Sequence, residues 1–376
     1  MVRSPTAHDI SPQDVARIQH LRLLRSRRVG PATYRRLLAE HGSAAAALDA
    51  LPAIAAAAGV AGYEACPAEV ATAEWRAGHA AGAHLIMQGD PDWPRVIDDL
   101  PDAPVMLWAL GRVDLLRRPM VALVGARNAS SLGTRMAKAM AADLTAAGFV
   151  VVSGLARGVD AAAHLAALPG GTVAVMAGGV DVVYPTENAA LADRIAAEGL
   201  RLAEMPMGLQ PQARHFPARN RIIAGLSRAV VVVEAAAKSG SLITARNALD
   251  AHRDVLAVPG HPFDARAAGC NMLIRDGATL VRSAADVIEA VGTLPAAAPE
   301  LPLTVPASPP RPQRSLRETA ALHNLILDRL GAAPVAEDQL IRDLATPAPV
   351  VTPVLVDLEL DGRIARSAGG LLSRVS

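Results

Sequence analysis

The segment Arg214-His215-Phe216-Pro217-Ala218-Arg219-Asn220-Arg221 places three arginines and a histidine around one aromatic ring, with no acid in eight residues. Guanidinium groups fork onto phosphate oxygens. An aromatic face stacks on a base, worth about 1–3 kcal/mol in single-strand binders. Side by side they make chemistry suited to a nucleic acid. The competing reading is packing, with Phe216 beneath its own loop and the arginines solvated or structural. Scarcity of aromatics favours the first. The chain has three each of Trp, Tyr and Phe, and between residues 113 and 295 only Phe149, Tyr184, Phe216 and Phe263.

Four further segments carry Gly, three of them with hydroxyl or basic neighbours: Gly125-Ala126-Arg127-Asn128, Ser153-Gly154-Leu155-Ala156-Arg157-Gly158, Ala177-Gly178-Gly179-Val180-Asp181, and Lys238-Ser239-Gly240-Ser241 with Thr244. Glycine lets a backbone approach an anion and present its N–H groups, while Arg or Lys supplies charge. One such turn is only a tight turn, whereas several converging on one crevice suit phosphate. Neither a GxGxxG fingerprint nor a GxxxxGK[ST] loop is present, since Arg127 stands where the second Gly would be. Asp160 and His164 share a helix face and read as an acid/base pair, or as a cap with a packed histidine. Glu234 suits a hydrolase, or else orients nearby cations. No Ser/His/Asp or Cys/His set has supporting context. Cys66 and Cys270 have no ligand-spaced neighbours, so neither a metal nor a disulfide framework is expected.

These segments need a scaffold. Six apolar runs supply it, the first, second, third and fifth ending in or just before one of these segments: Met120–Gly125, Phe149–Gly154, Thr172–Ala177, Leu200–Glu204, Ala229–Glu234 and Val255–Gly260. Helical stretches such as Leu132–Ala147 and Leu242–Ala251 lie between. Continuous apolar strands alternating with helices predict an α/β fold, a doubly wound Rossmann-like parallel sheet with ligands at the strands' carboxyl ends. Residues 1–112 read as a small helical domain of the SAM or helix-hairpin-helix kind plus an extended connector, and 113–292 as the Rossmann-like domain. Residues 293–314, rich in proline, read as a linker, and 315–376 as a winged helix. Its helices are expected at Leu316–Leu330, at Glu337–Leu344 and from Thr352-Pro353 to Leu360, with the wing at Arg363–Val375. That third helix offers Asp357, Glu359 and Asp361, so it suits a protein partner better than phosphate. Arg17, Arg22, Arg25, Arg27, Arg28, Arg35 and Arg36 form an acid-free stretch in the first domain, either a secondary phosphate contact or a solvated helical face.

The chain of 376 residues carries a net charge of +1, from 37 basic and 36 acidic groups. That total hides a mildly basic middle domain, at net +3, between flanks of −1 each. The N-terminal segment lacks the apolar stretch of a signal peptide, and no apolar run approaches the ~18–20 residues of a membrane span. A soluble, cytoplasmic protein is expected.

The order and spacing of these motifs, with Tyr184-Pro185, Asn188, Val258-Pro259-Gly260 and Gly269-Cys270-Asn271, resemble the DNA processing protein A (DprA/Smf) family over nearly the whole chain. Where that family usually has Ser or Thr, this chain has Ala126. The resemblance implies a single-stranded DNA-binding protein, not an enzyme and without a cofactor, that protects incoming strands during natural transformation and helps load RecA. It implies that Arg127 neutralises phosphates, that Phe216 contacts a base and that Arg219, Asn220, Arg221 and Lys238 line the same pocket; with the segments read above, Gly125, Ser153, Gly154, Arg157, Gly158, Arg214, His215, Ser239, Gly240, Ser241 and Thr244 complete the expected DNA contacts. It also implies a homodimer formed near Met272, Leu273, Ile274 and Leu280, a stretch that reads equally as core. The rival is a Rossmann-like nucleotide hydrolase of the phosphoribohydrolase kind, whose PGGxGTxxE motif the segment from Glu234 to Ser241 does not match.

Overall fold

The computed structural model describes residues 11–292, 316–331, 334–367 and 371–375. They divide into two units, one drawn from Met1–Ala71 and Pro302–Ser376, the other from Thr72–Leu301. The first opens with α1 (Pro12–Arg25), α2 (Pro31–His41) and α3 (Ala44–Ala57). Proline at the start of α1 and α2 suits a first turn whose N–H groups have no helical partner. Part of the arginine stretch is engaged within the protein. Arg22 donates to the Cys66 carbonyl at 2.5 Å, Arg27 lies over the Tyr63 ring, and Arg17, Arg25, Arg35 and Arg36 each engage a partner.

Helix α4 (Ala68–Ala80) leads into β1 (His84–Met87), β2 (Met106–Gly111), β3 (Met120–Val124), α5 (Ser131–Ala146), β4 (Val150–Ser153), α6 (Val159–Ala167), β5 (Thr172–Val175), α7 (Ala189–Glu198) and β6 (Leu200–Ala203). Then come α8 (His215–Leu226), β7 (Ala229–Val232), α9 (Ser241–Asp250), β8 (Asp254–Ala257), α10 (Ala268–Arg275), β9 (Thr279–Leu280) and α11 (Ala284–Val291). Nine strands form one sheet in the order β1-β2-β6-β5-β4-β3-β7-β8-β9, and all neighbours from β6 to β9 are parallel. All six expected strands are there. Side chains alternate between two buried faces. Val121 and Leu123 pack under α5 and α6, while Ala122 and Val124 pack with Ile222, Ile223, Ala245 and Ala248 of α8 and α9.

The break expected at residue 112 falls inside this unit. β2 pairs antiparallel with β6, and β1 with β2. Extended chain was legible before residue 112, but its prolines disguised a strand that joins the sheet. Trp108 of β2 donates to Glu74 of α4 at 2.8 Å and fills the space that Gly78 leaves open.

The first unit resumes at α12 (Leu316–Arg329), followed by β10 (Val335–Ala336), α13 (Glu337–Asp343), α14 (Ala348–Leu360), β11 (Ile364–Ser367) and β12 (Leu371–Arg374). The strand order β10-β12-β11, antiparallel throughout, is that of a winged helix. α14 begins four residues before the expected Thr352-Pro353, with Pro353 inside it. The run Pro347-Ala348-Pro349 supplies the earlier start, because proline is compatible with a first helical turn. α12 also packs on α3, where the Asn324 side chain donates to the Ala57 carbonyl at 2.8 Å. The segment read as a linker lies outside the described residues.

Candidate nucleic-acid interface

The strand order reverses between β3 and β7. The chain moves outward from β3 through β4 and β5 to β6, then returns to β7 on the other side. Loops leaving the two strands splay apart at such a switch point and open a crevice. Here the crevice is a cleft of about 930 Å³, lined by Arg127 and Asn128 after β3, Lys238–Thr244 after β7, Phe216, Arg219 and Asn220 of α8, and also Tyr184 and Arg266.

Phe216 is the centre of the site. Its half-buried ring meets the Tyr184 ring at 5.5 Å, tilted by 57°. The Arg127 guanidinium lies over the Phe216 ring at 5.3 Å and that of Arg219 at 5.9 Å. Arg127 is exposed, and no carboxylate of the described residues forms an ion pair with it. A narrow recess of about 20 Å³ continues between Arg127, Arg157, Tyr184 and Phe216. Lys238 is exposed, and the hydroxyls of Ser239 and Ser241 lie 2.7 Å apart at the start of α9. One hydroxyl donates to the other, so one O–H stays free to donate.

Other expected contacts are also tied into the scaffold of the cleft. Arg219 is buried and donates to the carbonyls of Gly154, at 2.5 Å, and Val175. Burial lowers its pKa to about 10, a shift that the neighbouring Asp160 opposes. It therefore stays charged at neutral pH. Asn220 is buried too and accepts from Arg219 Nε at 3.1 Å. A Cβ on Gly154 would collide with the Arg219 guanidinium, and one on Gly158, at φ +76°, with the Ala126 carbonyl. One on Gly125 would meet Val159 at 2.6 Å. These glycines keep the loops close together. Ser153 is buried and donates to the Leu123 carbonyl at 2.6 Å.

Arg221 does not reach the cleft. It pairs with Glu204 at 2.7 Å and Asp102 at 2.8 Å. Two residues on from Arg219, it points from the other side of α8. Arg157 pairs loosely with Glu187 at 3.4 Å, both exposed, at the rim of the recess. Arg214 is exposed, while His215 is buried with Nδ1 accepting from the Gln212 N–H. Burial and Arg214 hold the His215 pKa low. Thr244 lines the cleft, though mostly buried. In α10, Met272 is 39% exposed and Leu280 of β9 is 44% exposed, whereas Leu273 and Ile274 pack against the core.

Asp160 and His164 hold the loop after β4. The Asp160 carboxylate accepts from the amides of Gly154 and Ala156, at 3.2 and 3.3 Å, and burial raises its pKa against the pull of Arg219. His164 Nε2 accepts from the Leu155 N–H, so its Nδ1–H donates to Thr172 Oγ1, whose hydroxyl donates to the Val151 carbonyl. Desolvation lowers its pKa to about 3. An unfolded histidine takes up its proton near pH 6.5, so between that pH and about 3 the unfolded chain binds more protons than the fold. Stability is full above pH 6.5 and is lost as pH falls through this window, by up to ~1.4 kcal/mol per pH unit. Thermal unfolding followed from pH 7 to 4 should show a shallower decline for His164→Gln than for the wild type; parallel curves would sink this assignment.

Glu234 faces away from this chemistry. Its carboxylate accepts from the Ser130 N–H at 3.0 Å and the Ser130 hydroxyl at 2.5 Å, at the start of α5. Tyr184 and Arg266 are the cleft residues that the motif reading left without a role. Tyr184 was visible as a rare aromatic in a recognised motif, while nothing in the sequence distinguished Arg266 from other arginines.

The DNA recombination-mediator protein A family model matches residues 84–292, and models for a DprA-like N-terminal HHH domain and a DprA winged helix domain match 14–77 and 309–370. Protein Smf of Synechocystis is 45% identical over 55% of this chain, which spans 53% of that relative's length. DNA processing protein DprA of Streptococcus pneumoniae is 47% identical over 53% of this chain and 71% of its own. The X-ray structure of that streptococcal protein superposes with a TM-score of 0.58, at 35% identity, covering 75% of this chain and 98% of that one. A Helicobacter pylori DNA processing protein A, whose structure concerns a single-stranded DNA binding mode, superposes with a TM-score of 0.52 at 31% identity, covering 56% and 95%. With one of these models matching more than half of its length, the chain belongs to the DprA/Smf family of DNA recombination mediators.

Proposed function

We propose that this chain binds single-stranded DNA along the β3/β7 cleft and, as a cytoplasmic homodimer, helps load RecA onto that strand during natural transformation. The observation that carries the reading is the Phe216–Tyr184 ring pair beneath the Arg127 guanidinium. Asp160 is the one acid among the cleft-lining residues, and it is turned onto its own loop. A base stacks on the rings while Arg127 and Lys238 neutralise the flanking phosphates. The free hydroxyl of the Ser239–Ser241 pair donates to a phosphate oxygen and offsets the hydroxyl missing at Ala126.

The single-stranded DNA binding of the Helicobacter relative supports this assignment. Exposed Met272 in α10 and exposed Leu280 in the edge strand β9 support a homodimer. Exposed Asp357 supports a protein rather than DNA as the partner of α14. Binding without catalysis fits a Glu234 carboxylate occupied by Ser130.

The test is a salt series with single-stranded and duplex oligonucleotides of equal length. Expected are a clear single-strand preference and a log–log affinity slope of about −0.7 per phosphate contact. Equal affinity for duplex, or release of free base from a nucleotide, would remove the proposal.

A further inference from the structure

Phe263 is 95% exposed, the most exposed large hydrophobic side chain among the described residues. A ring left in water forfeits the burial that drives folding, and this chain has few rings to spend. The loop that presents it is braced. Asn271 bonds both the N–H and the C=O of Gly260, at 3.1 and 2.9 Å, and the amides of Asp264 and Ala267 close successive turns at 2.9 Å each. Among the described residues the ring's aromatic neighbour is His261, at 5.6 Å and 36°. Three residues on, Arg266 lines the DNA cleft, its guanidinium steadied by Asp264 at 3.2 Å.

We infer that Phe263 and His261 form a second base-stacking platform, occupied by the same single strand after it passes Arg266 on leaving the cleft. The inference rests on the cleft being the DNA site. The loop leaves the carboxyl end of β8, next to β7, whose following loop carries Lys238. A strand running from Phe216 past Lys238 and Arg266 therefore follows cations towards the exposed ring. Stacking on an aromatic face is sequence-tolerant and adds to the number of nucleotides covered. Arg266 keeps the backbone close while Phe263 and His261 take a base.

The test compares oligothymidines of about 6 and about 20 nucleotides, bracketing the ~4–16 covered by single-strand modules, on wild type, Phe263→Ala, Phe263→Trp and Phe216→Ala at fixed salt. Phe263→Ala should weaken the long oligomer about tenfold and leave the short one unchanged, and Phe263→Trp should restore the long one. Phe216→Ala should weaken both. If Phe216→Ala acts as expected and Phe263→Ala leaves the long oligomer within twofold, the second platform is wrong and the cleft stands. If wild type binds neither, or Phe216→Ala is silent, the cleft reading itself fails. Loss of the dimer in light scattering on Phe263→Ala would assign the ring to a contact between copies and overturn the platform.

Discussion

Arg219→Ala is expected to lower the midpoint of thermal unfolding by roughly 10 °C. The substitution removes the cation facing buried Asp160 and leaves the Gly154 and Val175 carbonyls without their donor. Leaving two buried carbonyls without their donor costs about 1–3 kcal/mol each, and the uncompensated charge of buried Asp160 adds to that. For a domain of ~150–250 residues, each kcal/mol moves the midpoint by about 2–4 °C. Asp160→Asn in the same chain should recover part of the loss, because it removes the stranded charge. Arg219→Lys should recover little, since one ammonium cannot span both carbonyls and Asn220. Differential scanning calorimetry decides it. A midpoint within about 2 °C of wild type, with DNA affinity lost, would make Arg219 a ligand contact instead of the tie between β4 and β5.

Phe216→Ala should weaken single-strand binding about tenfold at every salt concentration, the loss of one stacked base. Arg127→Ala should weaken it too, but differently. It removes a phosphate contact, so the slope of log affinity against log salt should flatten by about 0.7. Phe216→Ala should leave that slope unchanged. The pair should not be additive, because Arg127 lies over the ring that Phe216 supplies. A double variant no weaker than the worse single variant is the strongest expected form of this coupling. Fluorescence anisotropy across a salt series measures all three quantities. An unchanged slope for Arg127→Ala would remove phosphate from its role, and an unaffected Phe216→Ala would remove stacking.

The sheet was legible because each parallel strand is apolar on both faces, as Val150–Ser153 and Ala229–Val232 show. β2 was less so, for its pairing with β6 depends on contacts about ninety residues apart that no local pattern announces. Within the site, residue type pointed to the neighbourhood but not to the direction of each side chain. Arg219 and Arg221 looked equivalent in the sequence. The helix turns one into the protein and the other to Glu204. Gly125, Gly154 and Gly158 suit a close backbone approach to phosphate, and their missing Cβ atoms also make room for neighbouring side chains and loops, which the sequence does not announce. Conversely, Tyr184 became a partner of Phe216 only through a contact across 32 positions of chain.

The packing of α12 on α3 gives one folding unit two separate halves, with the whole nine-stranded sheet encoded between them. During synthesis the sheet domain can complete its own core while residues 302–376 are still to be made, since domains fold as units as they emerge. The face of α3 that receives α12 must wait for the latter part of the message. Contacts such as Ala57 with Asn324 have very high sequence separation, which slows their formation. A truncation that removes the winged helix is therefore not a neutral trimming. It strips the three-helix bundle of a packing partner, and a loss of expression in such a truncate would report on that exposed face before it reported on DNA or any protein partner.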